Sequence, residues 1–451
     1  MFHDFFTLSP HVVPVGGKTK VTLSARFVSQ RLQERGELEL KFLDSDALLA
    51  DNSLPAWRQY DSLPFEVLKN VPGGITFEVA PGREGEMRFV LSARRRDAET
   101  PVCEFGLYAL EHDLLKLRPY RGDFHVHTSC SECASPDEDP AYVAAVGRLK
   151  GLDFIALSDH MQMTAAAVAE GFWNKFVREY RIFPAEEVHQ LKEPQKTLYR
   201  HNAFLPGVHI VNFGGKWSAA AYENNHFEEY LAATARRAEA LDPLLPEAVR
   251  KIIAGADWII DKIHESGGLA IFCHPYWKPH NRYDMPPAAR EAILAGGKTD
   301  AVEIVGLGSA DPASLLRESN SQAVARWQSA SVKAGRLLPV TGSTDSHNAR
   351  ANLGTQYTVV LAEECGVESI QEAVRAGRGV AVMAHPGEER RCFGGERWTA
   401  YVNFLLREYF PQHDELCAFE GLAMLKKLRG ETVPVPDDDA VPNLMRRFFG
   451  Q

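Results

Sequence analysis

In this chain, short apolar segments are repeatedly followed by histidine or aspartate, and this pattern limits the possible fold more than any other feature. From about residue 119 the apolar segments read as strands separated by helices, which predicts parallel pairing in an α/β layered or barrel fold. In such folds the carboxyl ends of the strands and the loops that follow them build the active site. The segments and their polar residues are 122–128 with His125 and His127, 154–160 with Asp159 and His160, 269–275 with His274, and 338–347 with Asp345 and His347.

The first segment, Asp-Phe-His-Val-His-Thr, carries two histidines two positions apart. On a strand, alternation places His125 and His127 on one face and Phe124 and Val126 on the other. Two imidazoles on one face are a suitable pair of metal ligands. Any one of these histidines could be an ordinary loop residue, but independent structural histidines have no reason to collect after successive strands.

Three regions with different residue patterns divide the chain. Residues 1–118 alternate apolar and polar side chains between turn signals, which predicts an all-β, sandwich-like domain. Residues 119–385 alternate strands with helices and form the predicted α/β domain. Residues 386–451 hold helical stretches around 398–409 and 417–428 and a Pro/Asp-rich connector at 433–439, so they predict a short helical C-terminal extension.

Composition narrows the classes of partner. The formal net charge of −10 argues against binding long nucleic acid through its phosphates, but it leaves small phosphorylated substrates open. The first residues show no basic and apolar pattern, so no secretory signal is expected, and no apolar run reaches the roughly 18 residues that span a bilayer. The seven cysteines are odd in number and scattered, which predicts a reducing cytoplasm rather than a disulfide framework. The sequence does not predict an oligomeric state.

Taken in order, Asp-Phe-His-Val-His-Thr, Leu-Ser-Asp-His, Cys-His-Pro and Ser-Thr-Asp-Ser-His resemble the successive motifs of the PHP (polymerase and histidinol phosphatase) superfamily. The resemblance covers about residues 119–385. It implies a distorted (βα)7 barrel, two or three divalent ions of zinc, manganese or iron, and hydrolysis of a phosphate ester. The motifs are specific for the superfamily and do not identify the substrate.

The resemblance also implies a glutamate that bridges two metals and a histidine that begins the next short strand. The segment Pro-Ala-Glu-Glu-Val fits the first requirement, with Glu187 preferred by register and Glu186 as the competing candidate. His209 fits the second requirement. Many relatives read Ser-Asp-Gly after the first motif, whereas this chain has Glu132 and Cys133 after a serine. The coordination of a third ion is therefore completed by Glu132, by Cys133, or by neither.

The ligand sets that the resemblance implies involve three ions. One ion is assigned to His125, His127, Glu187 and Asp345; a second to Glu187, His209 and His274; and a third to His160 and His347, with water, Glu132 or Cys133. Asp159 either orients a ligand histidine or ligates directly. Glu187, Asp345 and His274 are the expected catalytic residues, and the ions are expected to activate water and to neutralise charge on the phosphoryl group.

Cationic residues near the motifs are candidates for binding the phosphate, namely Lys278, Arg282 and Arg350. Solvated surface charge is the commoner role of any single one of them. Glu303 lies at a further strand end, where it either orients a ligand or is purely structural, and it is left out of the ligand set. Two other functions stay open: hydrolysis of an amide or lactone by the same ions, and a non-catalytic metabolite-binding module.

Overall fold

The computed structural model describes residues 2–27, 32–43, 60–68, 74–96, 98–196, 205, 207–279, 282–306 and 315–450. Within these residues it contains three sheets together with helices. The protein is therefore mixed α/β with large sheets, as the sequence predicts.

The N-terminal strands form two sheets that share one core. The first sheet consists, in spatial order, of β1 (Phe6–Ser9), β3 (Thr19–Ala25), β7 (Gly74–Val79) and β6 (Phe65–Leu68). The second consists of β2 (Val12–Pro14), β9 (Ala98–Leu110), β8 (Gly85–Arg95), β4 (Glu37–Leu43) and β5 (Ser62–Leu63). Leu23 and Phe77 of the first sheet lie in one buried cluster with Phe89 and Phe105 of the second. The alternation in the sequence thus places the apolar face of each sheet inward.

The third sheet has ten strands and carries the residues of interest. In chain order these are β10 (Arg118–Val126), β11 (Phe154–Leu157), β12 (Arg181–Val188), β13 (Ile210–Phe213), β14 (Leu269–Phe272), β15 (Ala301–Val305), β16 (Val340–Gly342), β17 (Gln356–Ala362), β18 (Gly379–Met383) and β19 (Arg391–Phe393). Their spatial order is β16-β15-β14-β13-β12-β11-β10-β17-β18-β19. Strands β10, β11 and β12 pair in parallel, and so do β14, β15 and β16, as the alternation with helices predicts.

Strands β17 and β18 depart from the predicted parallel pairing, because β17 runs antiparallel to both β10 and β18. Strand β13 is a further exception. It runs antiparallel to both β12 and β14, with Glu187 opposite Val211 and Ile210 opposite Phe272. Its first residue therefore lies beside the carboxyl ends of its two neighbours. This direction brings His209, which precedes the strand, next to the residues that follow β14.

The edge strand β16 lies close to β17 as well as to its neighbour β15. The amide of Gly342 donates to the hydroxyl of Thr358 (2.9 Å), and that hydroxyl donates to the Gly342 carbonyl (2.8 Å). A Cβ atom on Gly342 would lie 2.8 Å from the carbonyl oxygen of Tyr357, so only glycine allows this approach. Beyond β16, Ser346 bridges to Val126 at the end of β10. The sheet thus curls enough to bring the last motif against the first.

Helices connect these strands and complete the chain. They are α1 (Phe2–Phe5), α2 (Pro140–Leu149), α3 (Thr164–Trp173), α4 (Ala219–Asn225), α5 (Phe227–Glu239), α6 (Glu247–Glu265), α7 (Pro287–Gly296), α8 (Leu315–Ala334), α9 (Ala349–Asn352), α10 (Val367–Arg375), α11 (Glu396–Glu408), α12 (Phe410–Leu428) and α13 (Ala440–Phe449). Asp139 caps α2, accepting from the amide of Ala141 at 2.9 Å. None of the helices in the described ranges combines the length and hydropathy required to cross a bilayer.

The chain divides into two compact units. One comprises Met1–Lys116, Ala400–Leu416 and Asp438–Gln451, and the other comprises Leu117–Thr399 and Cys417–Asp437. The C-terminal residues 386–451 therefore contribute to both units. The domain boundaries at 118 and 385 stay predictions from the sequence.

Candidate metal centre

The motif residues converge at the carboxyl ends of the parallel strands of the ten-stranded sheet, because backbone pairing continues beyond the strand ends. The amide of His127, just after β10, donates to the carbonyl of Ser346 (2.9 Å). The amide of Cys273, just after β14, donates to the carbonyl of His209 (3.0 Å). Segments that are far apart in sequence are thus held side by side, and their imidazoles point into one buried space.

The carboxylate of Glu187, on β12, lies at the middle of this space and is 1% exposed. Its two oxygens face different imidazoles. Oε2 lies 2.8 Å from His160 Nδ1, 3.3 Å from His127 Nε2 and 3.4 Å from His125 Nε2, whereas Oε1 lies 2.6 Å from His209 Nδ1 and 3.5 Å from His274 Nε2. One carboxylate therefore stands between two sets of nitrogen atoms.

The first set is completed by Asp345, whose Oδ1 lies 3.0 Å from His127 Nε2 and 3.3 Å from His125 Nε2. One ligand atom each of Asp345, His127, His125 and Glu187 lies within 4.8 Å of the other three. The second set, Glu187 with His209 and His274, meets the same criterion. These are the first two ligand sets that the PHP resemblance implies.

Strained backbone accompanies the two sets. His274 has φ of 20° and Asp345 has φ of 49°, in a region that residues with a Cβ atom seldom adopt. Such strain persists only where surrounding contacts over-determine it, as at binding sites. His274 lies two residues after β14 and Asp345 three residues after β16, and both side chains belong to the donor sets.

A third set brings His160 and His347 together with His127 and Cys133, again with one ligand atom of each within 4.8 Å of the others. Glu132, the alternative to Cys133, has an exposed side chain and lies in none of the ligand groups found among the described residues. The structure therefore brings the thiol to this set and leaves the carboxylate at the surface.

Hydrogen bonds from outside the cluster orient the two histidines of the first motif. Glu303 Oε2 lies 3.1 Å from His125 Nδ1, and because a carboxylate only accepts, the ring nitrogen must donate. Ser131 Oγ lies 3.2 Å from His127 Nδ1 and donates its own proton to Asp159 Oδ1. It must therefore accept from His127, so this ring nitrogen also donates. Each ring thereby keeps its Nε2 lone pair for the cluster.

Electrostatics within the cluster suit bound cations. Burial alone would raise the pKa of Glu187, but the imidazoles of His160 and His125 hold this pKa well below its ordinary value. Burial alone would lower the pKa of His127, but Asp345 and Glu187 raise it to about 9. In addition, the buried Glu187 Oε2 accepts no hydrogen bond of good geometry in the described part of the chain, although three ring nitrogens lie 2.8 to 3.4 Å from it. A buried set of imidazoles and carboxylates with such an oxygen fits zinc, manganese or iron.

The adjacent glutamate, Glu186, points away from the cluster. Its carboxylate accepts hydrogen bonds from Asn212 Nδ2 (2.9 Å), Ser218 Oγ (2.5 Å) and the amide of Ala219 (2.7 Å). These partners lie on β13 and at the start of α4. Of the two candidates that the sequence left open, only Glu187 faces the imidazoles.

Asp159 and the cationic candidates lie outside the three sets. Asp159 accepts from the amide and the hydroxyl of Thr128, both at 2.7 Å, so it orients the loop after the first motif. Lys278 pairs with Glu318 at 2.6 Å, and both arginine candidates, Arg282 and Arg350, have exposed side chains. The substrate-binding roles of these three cations stay predictions.

The sequence interpretation missed His189 and Asp284, and it also missed Cys273, whose sulfur lies within 4.8 Å of ligand atoms of His125 and Glu303. His189 Nε2 lies 2.9 Å from His160 Nδ1 and 3.6 Å from Glu187 Oε2. Its position two residues after Glu187, just beyond the end of β12, was a signal that could have found it, because alternate residues of an extended chain point to the same side. Asp284 Oδ2 lies 3.4 Å from His209 Nε2 and orients that ring, but it follows no strand and no pattern marks it.

Comparisons with known proteins point to similar structures only. No protein-family model matches the chain, and no curated protein matches it. Among solved structures, the chain is similar to a two-domain protein from Bacteroides vulgatus described as containing a predicted PHP-like metal-dependent phosphoesterase. Identity is 13% and the TM-score 0.39, over 65% of this chain and 71% of that chain.

The chain is also similar to a lesion-specific endonuclease from Pyrococcus furiosus, at 16% identity and a TM-score of 0.36. A structure of Endonuclease Q with a 27-mer duplex bearing an abasic lesion gives 15% identity and a TM-score of 0.35. This chain spans 58% of the length of either endonuclease. The expectation against long nucleic acid stays a prediction from the net charge alone. TM-scores below 0.5 leave the function to be inferred from the site itself.

Proposed function

We propose that the protein is a PHP-type, metal-dependent hydrolase of a phosphate ester, either a phosphomonoester or a small phosphodiester. The position of Glu187 is the observation that carries the proposal. Its Oε2 faces the histidines of the first motif and its Oε1 faces His209 and His274, which is the arrangement of a carboxylate that bridges two divalent ions. Zinc, manganese or iron fits this donor set, as two ions or, with the third set, as three.

In the proposed reaction, the bound ions would supply a water of lowered pKa and would neutralise charge on the phosphoryl group. The chain contributes the geometry. Glu187 and Asp345 bring negative charge to the ions, and His274 places a ring nitrogen beside both carboxylates, 3.5 Å and 3.8 Å away. Glu303 holds His125 in the tautomer that can ligate. The mechanism requires no side-chain nucleophile.

The proposal extends to the fold and the setting predicted from the sequence. We infer a distorted (βα)7 barrel for residues 119–385, preceded by a β-sandwich and followed by a helical extension. The proposed substrate is a small phosphorylated molecule in the cytoplasm. The curl that brings β16 against β17 supports the barrel, and the core shared by the two N-terminal sheets supports the sandwich.

A substrate panel on the metal-loaded protein tests the proposal. The panel contains phosphomonoesters, phosphodiesters, amides, lactones and an abasic DNA duplex, each with added Mn²⁺ or Zn²⁺. We expect turnover of a phosphate ester, and we expect the double variant His125→Ala/His127→Ala to lose turnover and bound metal while keeping its circular dichroism spectrum.

Other results would replace the proposal. Preferential cleavage of the amide or lactone would identify a different metal-dependent hydrolase. A purified protein without bound metal and without turnover would favour a binding module. Full activity in the double variant would reject the mechanism.

A further inference from the structure

The third donor set contains a thiol, and this thiol has a consequence for the choice of metal. Cys133 lies with His127, His160 and His347 in a group whose ligand atoms fall within 4.8 Å of one another. His127 Nε2 already faces Asp345 Oδ1 at 3.0 Å, in the first set. Because one ring nitrogen binds one ion, the third ion is left with Cys133, His160 and His347.

The loop that carries Cys133 is held in place by hydrogen bonds. Ser131 Oγ donates to Asp159 Oδ1 (2.6 Å) and accepts from the amide of His160 (3.0 Å). The amide of Ser131 donates to the carbonyl of Thr128 (2.9 Å), and the amide of Ala134 donates to the carbonyl of Ser131 (3.2 Å). The loop that carries the thiol is therefore anchored to Asp159 and to the backbone of the ligand His160.

His347 is oriented in a similar way. Its Nδ1 lies 2.9 Å from the carbonyl oxygen of Asp345, which can only accept, so Nδ1 donates and Nε2 is left for a metal. The Cys133 side chain is half-buried, whereas the neighbouring Glu132 is exposed. The donors available to a third ion are thus two imidazoles and one sulfur.

We infer that Cys133 is a thiolate ligand of the third ion and that it makes this position selective for zinc over manganese. Thiolates favour soft and borderline ions such as Zn²⁺ and Co²⁺, whereas Mn²⁺ prefers carboxylate and water oxygen atoms. Three protein ligands also leave a tetrahedral ion with one open position, which is available to an oxygen of an anionic substrate. This inference rests on the proposed function, since it assumes ions in the first two sets.

Cobalt substitution tests the inference, with Co²⁺ alone as the probe. A thiolate bound to Co²⁺ gives a charge-transfer band in the near ultraviolet, which imidazole and carboxylate ligands do not give. We expect the full chain to bind three equivalents of Co²⁺ and to show this band. We expect Cys133→Ser to bind two equivalents without the band. Cys130→Ser is the matched control, a half-buried cysteine of the same loop outside the donor set, and should keep both the band and the third equivalent.

Two further measurements on the unmodified chain do not depend on the folding of a variant. Bound Zn²⁺ should protect Cys133 from alkylation, as mapped by peptide mass, and Mn²⁺ should not. When Zn²⁺ and excess Mn²⁺ compete, one equivalent of zinc should be retained per chain. The inference is rejected by a cobalt-loaded chain without the band, by a band that survives in Cys133→Ser, or by alkylation that zinc does not slow. Phosphate-ester turnover, measured on the same samples, tests the proposed function separately. Turnover without the band would reject the thiolate ligand and leave the proposed function standing.

Discussion

At the scale of single residues, Glu186 and Glu187 are chemically identical, adjacent and almost completely buried, and only their partners distinguish them. Successive side chains of a strand point to opposite faces. Glu186 therefore meets the donors at the start of α4, whereas Glu187 meets the imidazoles. The same residue type has a structural role in one position and a proposed metal-bridging role in the next.

We expect Glu187→Gln to lose most bound metal and turnover, because a neutral amide is a far weaker bridging ligand than a carboxylate. Glu186→Gln is the matched control and should keep its metal, while losing about 1–3 kcal/mol of stability through a poorly matched buried hydrogen bond. Metal analysis and thermal melting of the two purified variants give the comparison. Equal metal content in both variants would contradict the assignment of Glu187.

His11, between β1 and β2, provides a prediction about pH. Its ring stacks on Phe448 at 4.4 Å, and burial, together with the nearby His3, lowers its pKa well below the ordinary value of 6.5. The unfolded chain therefore binds more protons than the folded chain in the window below pH 6.5. The stability contributed by neutral His11 is fully present above that pH and decreases as the pH falls toward the folded-state pKa.

Thermal melting between pH 5 and pH 8 measures this effect. We expect the melting temperature of the natural chain to fall more steeply with acid than that of His11→Gln, whose side chain does not titrate. Parallel curves for the two proteins would show that His11 does not contribute to the pH dependence.

At the scale of elements, local patterns predict the strands well and their direction poorly. The alternation of β3 and β7 and the apolar runs of β11 and β14 are visible in the sequence. The antiparallel direction of β13 is not, because direction depends on the side from which the chain re-enters the sheet. The sequence interpretation also gave no helix at α13, although Asp439 precedes it and Gly450, with φ of 73°, ends it.

Strand β10 positions the first motif through a close contact between Gly122 and the ring of Phe154. A Cβ atom on Gly122 would lie 2.0 Å from this ring. We expect Gly122→Ala to destabilise the protein by about 1–3 kcal/mol and to weaken metal binding, because β10 must shift. Gly171→Ala is the control, since nothing lies within 4 Å of its Cβ position in α3, and it should stabilise the helix by up to about 1 kcal/mol. Thermal melting and metal titration distinguish the two variants, and unchanged binding in Gly122→Ala would contradict the role of this contact.

At the scale of the whole molecule, the proposed ions and the fold depend on each other. The ligands come from segments as distant as His125 and Asp345, and burial makes their uncompensated charges costly. A ligand that binds only the folded state stabilises it.

We therefore expect a chelator to lower the melting temperature and added Zn²⁺ or Mn²⁺ to restore it. The double variant His125→Ala/His127→Ala should show a much smaller shift. Calorimetry of the natural chain and of this variant, with and without chelator, measures the difference. An equal shift in both would show that the metal stabilises the protein at another site.

The sequence by itself determined the strand-and-helix alternation, the core of each N-terminal sheet and the motifs that supply most of the cluster. These features are local, since an apolar run followed by a ligand residue is visible within ten positions. Tertiary structure alone decided that Glu187 rather than Glu186 faces the imidazoles, that Asp284 supports His209, and that Cys133 rather than Glu132 joins the third set. Those outcomes depend on distances between atoms from separate strands and loops, and such distances exist only after the sheet has curled and β13 has taken its direction.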